Sequence, residues 1–471
     1  MGEETQDKTS VQARRSPHRA HKRSRRRGKS VLIVAILIGT ATIAFPMPES
    51  AQAESKQVPC SVPALVAAIN NANSTAAADI LNLTRDCTYR LTAPNNAANG
   101  LPVISATITI NGNEATITRD SSAPSFRILT VGTTGVLTLN NTTISGGRVS
   151  DCPTFPGICG GGINSDGRLT VNASRVINNT ATGNNFIQGA GINGEGSMTT
   201  ITGTEISGNI ASYTGTAVNA ALGAGIANDG PLTVENCRIT NNRSTVTANT
   251  GSFAQGAALE PFAPTTIRKS VIGDNVSNAP GGTARGALAV SATTVDVSDT
   301  KFLHNGVSAA NGTVTGGAIA VGPTSTTHLT AIIVSENHAD APGGVAIAGG
   351  MQVAPDANVT VTKSALLGNT VSAVGGTSAH GGGLNNEGKV TLTTTAVLRN
   401  TASGSAAKGG GLYNTSGATA TLTLTVVTGN KAGDGGGIFN DGGSVALDKS
   451  SVAGNTPNNC RPPASVPGCT G

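Results

Sequence analysis

Five charged residues near the middle of the chain are the strongest sequence candidates for acid–base chemistry. When the chain is aligned on its internal repeat, Arg268 falls level with Glu235. In the same alignment Asp299 falls level with Lys269, and Asp296 lies three residues before Asp299. Hydrolysis of a glycosidic bond needs two carboxyl groups about 5–10 Å apart, and calcium-assisted elimination needs several acids around one ion. Acids that each face a cation favour ion pairs on a solvated surface instead, so we assign no catalytic residue.

The other carboxylates are dispersed and do not predict a metal or cofactor site. Asp166 and Asp229 occupy aligned turns, and Glu195 and Glu387 occupy equivalent turn positions. A turn residue that recurs from repeat to repeat has a structural explanation. The seven cysteines form no C-x-x-C pair, and no histidine follows them at a zinc spacing. We therefore predict no metal and no cofactor. Three or more exposed acids in adjacent turns would be needed to favour an enzyme.

The net charge of +5 belongs to the first 53 residues. This segment holds ten of the 31 Lys/Arg and four of the 26 Asp/Glu, so the remaining 21 bases and 22 acids nearly cancel. Its basic stretch precedes the apolar run Val31–Phe45, and Ala51 and Ala53 occupy the small-residue positions of an A-x-A cleavage site. This order predicts a secretory signal peptide cleaved after Ala53, and an uncleaved membrane anchor is the alternative. No basic face remains to bind nucleic acid.

Six of the seven cysteines fall into near pairs, as expected for disulfides in an exported protein. The predicted disulfides join Cys60 with Cys87, Cys152 with Cys159, and Cys460 with Cys469. The seventh, Cys237, aligns with hydroxyl residues of other repeats, among them Ser270. We interpret Cys237 as a small residue in a stacked row rather than as a reactive thiol.

An apolar residue three positions before an asparagine recurs ten times, at intervals of 25 to 33 residues. A period this steady indicates stacked structural repeats. Because the asparagine returns at the same place in each repeat, we predict that its side-chain amides form a hydrogen-bonded ladder between strands about 4.8 Å apart. The ten residues are Asn179, Asn209, Asn242, Asn275, Asn305, Asn337, Asn369, Asn400, Asn430 and Asn455.

Within one repeat the sequence predicts three very short strands separated by turns. In residues 160–179, paired glycines precede Ile163, and Asp166 and Gly167 mark a turn. Apolar and polar residues alternate over only three or four positions. The repeat contains no stretch of helical periodicity long enough for a crossover. Each strand must therefore pair with its counterpart one repeat away, which predicts an all-β solenoid of parallel strands with about ten to thirteen turns.

The two ends of the solenoid have sequences that predict caps. A short helix follows Ser61, a suitable N-cap, and its apolar face comprises Leu65, Ala68, Ile69 and Ala72. Four prolines near the other end stop strand pairing, and the last cysteine pair closes a loop there. The predicted division is a signal peptide at 1–53, an N-terminal cap with the first strands at 54–105, β-helix repeats at 106–456 and a disulfide-closed cap at 457–471.

Two short motifs resemble those of a known group of bacterial surface proteins. Gly316-Gly317-Ala318-Ile319 and Phe302-Leu303-His304-Asn305 resemble the GGAI and FxxN signatures of the polymorphic membrane protein repeats. The start of the mature chain, CSVPALVAAINNAN at Cys60–Asn73, is similar to that of a broad group of secreted bacterial β-helix proteins. The resemblance implies a single right-handed parallel β-helix of the pectate-lyase-like superfamily. It does not imply an activity.

Three functions remain open on the sequence alone. The first is an exported, non-catalytic scaffold at the cell surface or outside the cell, adhesin-like, which binds a surface or matrix component, with polysaccharide as one candidate. The second is a polysaccharide lyase or glycoside hydrolase of the same superfamily. The third is a structural envelope protein. Scarce aromatic residues argue against sugar stacking, because the tyrosines are only Tyr89, Tyr213 and Tyr413. After removal of the signal we expect no integral membrane segment.

Overall fold

The chain folds into a parallel β-solenoid of about 11 turns with one short helix, which confirms the predicted fold class. The structure, a computed structural model, describes residues 53–96, 98–150, 160–196, 198–247, 250–404 and 406–470. The predicted signal peptide, apart from Ala53, lies outside the described residues. No helix in the described ranges is long and apolar enough to cross a membrane.

Five parallel sheets run along the solenoid, and one turn visits them in the order sheet 1, sheet 3, sheet 4, sheet 5, sheet 2. Sheet 1 contains Ser55–Val58, Asp79–Leu83, Thr107–Asn111, Val136–Asn140, Arg168–Asn172, Thr199–Thr202, Leu232–Glu235, Thr265–Arg268, Thr294–Ser298, Thr326–Thr330, Asn358–Thr362, Lys389–Thr393, Thr419–Thr423 and Ser444–Asp448. Sheet 2 contains Leu129–Val131, Ile163–Ser165, Ile192–Gly194, Ile226–Asn228, Leu259–Pro261, Leu288–Val290, Ile319–Val321, Met351–Val353, Leu384–Asn386, Leu412–Asn414, Ile438–Asn440 and Cys460–Arg461.

Sheets 3, 4 and 5 complete each turn. Sheet 3 contains Thr88–Leu91, Thr116–Arg119, Thr143–Ser145, Arg175–Ile177, Glu205–Ser207, Arg238–Thr240, Val271–Gly273, Lys301–Leu303, Ile333–Ser335, Ala365–Leu367, Ala396–Leu398, Val426–Thr428 and Ser451–Ala453. Sheet 4 contains Arg148–Ser150, Thr180–Gly183, Ile210–Tyr213, Arg243–Val246, Val276–Asn278, Gly306–Ser308, His338–Asp340, Thr370–Ala373 and Thr401–Gly404. Sheet 5 contains Ile187–Gln188, Ala220–Leu222, Phe253–Gln255, Thr283–Arg285, Thr313–Thr315, Val345–Ile347, Ser378–His380 and Ala407–Lys408.

The alternation of side chains along each strand produces two separate cores. In the sheet 1 strand Lys389–Thr393, Val390 and Leu392 are fully buried, while Lys389 is exposed. Sheets 1, 2 and 3 enclose the main core of Leu, Ile and Val side chains. Sheets 4 and 5 enclose a smaller core that is mostly alanine, with Val307 and Val314 among its few larger members. Small side chains let two sheets approach closely, so sheets 4 and 5 form a thin lobe beside the main core.

The prediction of three strands per turn was wrong for the central turns, which contain five strands each. The segment between Asn305 and Gly316, which lies outside the three predicted strands, contains the strands Gly306–Ser308 and Thr313–Thr315. Each has one buried apolar side chain facing the alanine-rich core. A strand of three residues with a single apolar position leaves too little alternation to be detected in a sequence.

The ten predicted asparagines lie at the end of sheet 3 in successive turns, and each has at most 8% of its surface exposed. Asn337 is representative: its Nδ2 donates to Asn369 Oδ1 at 2.9 Å and to the Phe302 carbonyl at 3.0 Å. Its Oδ1 accepts from Asn305, both from Nδ2 at 3.0 Å and from the backbone N–H at 2.9 Å. The same contacts join the ladder from Asn179 to Asn455.

The paired glycines of the repeat pack against this ladder. Gly383 lies in the corner between sheet 5 and sheet 2, and a Cβ there would fall 2.9 Å from Asn400 Nδ2 and 2.8 Å from the Gly411 carbonyl oxygen. No side chain fits into that space without displacing the next turn. Gly383 and Asn400 are therefore in close contact, whereas Ala258, Ala287 and Ala318 occupy the equivalent corner in three other turns.

A disulfide lies at each end of the described chain, a short helix lies at the N-terminal end, and the strand Cys460–Arg461 continues sheet 2 into the predicted cap 457–471. The helix Val62–Asn73 begins after Ser61, whose Oγ accepts from the Ala64 N–H, and it buries the four predicted apolar residues. A disulfide joins Cys60 to Cys87, and another joins Cys460 to Cys469.

The third predicted disulfide has no counterpart among the described residues. Cys152 and Cys159 both lie in the segment 151–159, which is outside the ranges that the structure describes. The structure therefore gives no support to a bond between Cys152 and Cys159, in contrast to the other two pairs, and this disulfide stays a prediction. Its only basis is the separation of seven residues between Cys152 and Cys159 in a chain expected to be exported.

Cys237 is a free thiol and is buried. Its Sγ lies 3.4 Å and 3.2 Å from the carbonyl oxygens of Ile201 and Glu235, and burial raises its pKa to about 11. Its backbone N–H donates to the Ser270 hydroxyl, as neighbouring members of the hydroxyl row do. A buried thiol with a raised pKa is a poor nucleophile.

Candidate functional site: the lateral cleft

A cleft runs along the solenoid where sheet 5 turns back over sheet 2, and we call it the lateral cleft. The middle residue of each sheet 5 strand is buried in the alanine-rich core, so the last residue faces the opposite way, towards sheet 2. On sheet 2, the middle residue of each strand points away from the main core and meets this row. The row from sheet 5 is Gln188, Leu222, Gln255, Arg285, Thr315, Ile347, His380 and Lys408; the row from sheet 2 is Asn193, Ala227, Glu260, Ala289, Ala320, Gln352, Asn385, Tyr413 and Phe439.

A glycine forms the floor of the cleft between the two rows. Gly256 has a φ of +58°, which a side chain rarely tolerates, and a Cβ on it would lie 2.5 Å from Glu260 Oε2. The chain can therefore reverse direction within three residues between Gln255 and Leu259. This sharp corner is what places the last residue of sheet 5 directly against the middle residue of sheet 2.

The N-terminal end of the cleft carries a row of carboxylates. Asp166, Glu195 and Asp229 follow consecutive sheet 2 strands, and Asn193 donates to Glu195 at 2.9 Å. Burial, and then the negative charges of Asp166 and Asp229, raise the pKa of Glu195, although the Asn193 hydrogen bond opposes the shift. Burial also raises the pKa of Asp229. The nearby Arg127 is buried as well and attracts both Asp166 and Glu195.

The middle of the cleft widens into a cavity of about 250 Å³. Its polar lining comes from Gln255, Arg285, Ser291, Thr315, Gln352 and Glu387, and most of the remaining wall is apolar. Glu260 lies beneath it and is completely buried. The cavity is half enclosed, so it is large enough and closed enough to hold part of a ligand.

Two neutral side chains hold the Glu260 carboxyl in place. Glu260 Oε1 accepts from Gln255 Nε2 at 2.9 Å and from Ser291 Oγ at 2.8 Å. The other oxygen, Oε2, has no hydrogen-bond partner among the described residues. Burial raises the pKa of Glu260 to about 8, against the smaller lowering effects of Ser291, Arg285 and Gln255. Glu260 is therefore mostly protonated at neutral pH.

The C-terminal end of the cleft is aromatic. The rings of His380 and Tyr413 stack with centroids 4.2 Å apart, and Tyr413 stacks on Phe439 at 5.5 Å. Lys408 Nζ lies 4.5 Å from the centroid of Phe439, and the Tyr413 hydroxyl donates to Asp441. Burial, followed by the hydrogen bond to Asp441, raises the pKa of Tyr413. Burial and Lys408 lower the pKa of His380, so its ring is neutral at physiological pH.

The charged residues that the sequence singled out lie elsewhere, on the outer surface of sheet 1 and its turns. Glu235 Oε2 is 3.9 Å from Arg268, and its Oε1 is 3.6 Å from Lys269. Asp296 pairs with Thr266 and His328 of the adjacent sheet 1 strands. Asp299 lies in the tight connection directly after the strand Thr294–Ser298. Glu235, Arg268 and Lys269 form exposed ion pairs, although the Lys269 partner is Glu235 rather than the expected Asp299, and neither Asp296 nor Asp299 forms an ion pair within the described ranges. No group of three or more metal-ligating side chains occurs within the described ranges.

Sequence reasoning missed the lateral cleft because its residues lie far apart and share no motif. Glu260, Arg285 and Ser291 come from two sheets and a turn, and nothing in their local sequence distinguishes them. One signal was present: Glu260 replaces a small or amide residue found at the same place in neighbouring repeats, such as Ala227 and Ala289.

Comparisons with known proteins carry no argument about this chain. No protein family and no curated protein matches the sequence. Among solved structures, PfbA, a surface adhesin of Streptococcus pneumoniae, aligns over 82% of this chain and 84% of its own, with 12% sequence identity and a TM-score of 0.23. At this TM-score the likeness supports no functional inference.

Proposed function

We propose that this protein is an exported, non-catalytic scaffold that binds a polymer of the cell surface or extracellular matrix, most simply a polysaccharide, in the lateral cleft. The observation that carries the proposal is the regular row of sheet 5 side chains beside the cavity, which spans the turns from Gln255 to Ile347. Eight stacked sheet 5 strands extend over about 34 Å, with one inward-facing side chain per turn. A linear polymer presents its groups at regular intervals, so it matches a surface built from equal steps.

Two observations support a location outside the cytoplasm. Cys60–Cys87 and Cys460–Cys469 form disulfides, which persist in oxidising compartments. The first 53 residues have the order of a secretory signal, with cleavage after Ala53. N-terminal sequencing of the exported protein is expected to start at Glu54. Recovery of Val31–Phe45 in that protein would favour the membrane-anchored alternative.

The disulfide between Cys152 and Cys159 belongs to the same proposal, since an exported chain would oxidise this near pair as well. Mass spectrometry of the exported, unreduced protein after proteolysis is the test. We expect a crosslinked peptide that contains both Cys152 and Cys159. Recovery of either residue as an alkylated free thiol would reject this bond and leave the other two disulfides unaffected.

The repeat assignment and the domain limits are further parts of the proposal. We assign the GGAI and FxxN segments to a repeat of the polymorphic membrane protein type, on the basis of the motifs alone. The cap would then comprise residues 54–105, the repeats 106–456 and the closing loop 457–471. Limited proteolysis is the test, since repeats that share continuous sheets should resist cleavage between 106 and 456.

A steric block tests whether the lateral cleft is the binding surface. The purified exported protein would be applied to an array of neutral and acidic oligosaccharides. Thr315 faces the cavity, so Thr315→Trp should fill the cleft and reduce binding at least tenfold. Thr360 lies on the outer face of sheet 1, and Thr360→Trp is the matched control, which should bind like the wild type. Equal binding by both variants, with unchanged melting temperatures, would refute the cleft as the site.

Cleavage of an acidic polysaccharide is a second candidate, because Asp166, Glu195 and Asp229 lie in adjacent turns. Three such acids were the feature that would favour an enzyme over a scaffold. Pectate and alginate would be incubated with the protein, with and without calcium, and new reducing ends and unsaturated products measured. An activity lost in Glu195→Gln but kept in Glu205→Gln, a surface control paired with Arg175, would replace the scaffold proposal. Absence of products under all conditions is the result that we expect.

A further inference from the structure

The cavity in the middle of the lateral cleft holds an arginine without an anionic partner. Within the described residues, Arg285 makes no ion pair and no side-chain hydrogen bond; its guanidinium lies over the Phe253 ring, 5.3 Å from the centroid. A cation in a partly enclosed site interacts more strongly with an anion than a cation in open solvent does. Arg285 is thus available to an anion that enters the cavity.

Glu260 does not neutralise Arg285, although an ionised Glu260 would attract the guanidinium electrostatically. Its carboxyl is fully buried, and both hydrogen bonds to Oε1 come from neutral side chains. Arg285 is the charged group that acts on Glu260, and Gln255, Ser291 and the flanking Ala227 and Ala289 are neutral. A protonated Glu260 leaves Arg285 without a neighbouring countercharge. Glu387, the other carboxylate that lines the cavity, follows the sheet 2 strand Leu384–Asn386, four strands beyond that of Glu260, and accepts from Asn385.

The rest of the cavity wall is suited to hydrocarbon. Ile347, Pro323 and Pro355 line it together with Ala289, Ala320 and Ala354. The volume of about 250 Å³ is slightly below the ~300–1,000 Å³ of typical small-molecule sites, so a ligand must be small. An occupant therefore needs one anionic group and a short apolar body.

We propose that this cavity is a binding site for a small organic carboxylate with an apolar body, whose carboxylate pairs with the Arg285 guanidinium. Arg285 can donate two parallel N–H groups to a carboxylate. Glu260 acts as a positioning residue: it controls the net charge of the site through its own protonation state and does not need to touch the ligand. The cavity is part of the lateral cleft, but the proposal goes beyond polymer binding and does not require it.

The test uses hexanoate and hexanamide, which share an apolar body and differ in charge. At pH 6.5, isothermal titration calorimetry with the purified protein is expected to give at least tenfold tighter binding of hexanoate. Arg285→Met should abolish this preference, and Arg285→Lys, which keeps the charge, should retain part of it. Arg243→Met is the control, since Arg243 is an exposed sheet 4 residue without an ion pair among the described residues. Equal affinity for the two probes, or unchanged hexanoate binding in Arg285→Met, would overturn the proposal.

The pH dependence separates the role of Glu260 from a purely structural one. When Glu260 ionises, it compensates Arg285 and repels the ligand carboxylate. If only the protonated form binds, wild-type affinity for hexanoate should fall about tenfold between pH 6.5 and pH 9. Glu260→Gln mimics the protonated carboxyl, so its affinity should stay constant over this range. A constant wild-type affinity, or the same decline in Glu260→Gln, would remove Glu260 from the proposal.

Discussion

At the scale of single residues, the asparagine ladder shows how one side chain can join three turns. Asn337 donates to a carbonyl in the preceding turn and to Asn369 in the next, and it accepts from Asn305. Asn337→Ala removes these contacts and leaves buried partners unsatisfied, so we expect a loss of about 1–3 kcal/mol in the free energy of unfolding. Urea denaturation measures this change in the free energy of unfolding. Asn358→Ala, at an exposed sheet 1 position, is the control and should change stability little; equal losses in both variants would show that the ladder is not structural.

In contrast to the asparagine ladder, an ionised Glu260 lowers the stability of the folded state, because burial disfavours the ionised form. Its pKa of about 8 exceeds the ordinary 4.5, so the folded state binds one proton more than the unfolded state between these pH values. Stability should therefore be highest below about pH 4.5 and decrease as the pH rises to about 8. Glu260→Gln removes this dependence and should be more stable at pH 8 by on the order of 3 kcal/mol. Thermal melts from pH 5 to 8 test it, with Asp356→Asn as the exposed control. Parallel wild-type and Glu260→Gln profiles would contradict the assignment.

At the scale of elements, the corner between sheets 5 and 2 decides how closely the turns stack. A Cβ at Gly383 would meet both Asn400 and the next turn. Overpacking of this kind typically costs about 1–3 kcal/mol, so Gly383→Ala should lower the melting temperature. In Gly273→Ala the nearest atom would be 3.2 Å away, and the effect should be smaller. A Gly383→Ala variant as stable as the wild type would show that adjacent turns can separate without cost.

The elements also show where sequence analysis succeeds and where it stops. Sheet 1 was predictable because strands such as Lys389–Thr393 bury two alternating apolar residues. The strands of sheets 4 and 5 bury one small side chain each, often alanine, which is no signal in a chain rich in alanine and glycine. The lateral cleft depends on those two sheets. A prediction that does not assign Thr283–Arg285 to a strand cannot place Arg285 at the cavity above Glu260.

At the scale of the whole molecule, a stack of equal turns depends on its ends, where strands lack a partner. The helix Val62–Asn73 covers the first turns, and the Cys60–Cys87 disulfide closes the chain around it. A crosslink across 27 residues typically contributes about 2–4 kcal/mol, chiefly by restricting the unfolded chain. The double variant Cys60→Ala/Cys87→Ala should therefore lose stability by this amount. Cys237→Ser, which keeps a small donor in the hydroxyl row, is the control and should lose much less.

Hydrogen exchange can show which turns lose stability in the double cysteine variant. Stacked repeats unfold from an end, each repeat after its neighbour. Without the Cys60–Cys87 crosslink, amides of the first sheet 1 strands, Asp79–Leu83 and Thr107–Asn111, should exchange faster. Those of central strands such as Thr294–Ser298 should keep their protection, since both of their neighbouring turns remain in place. A uniform increase along the whole solenoid would mean that the turns unfold as one cooperative unit. In that case the N-terminal cap would stabilise the entire stack rather than its first turns.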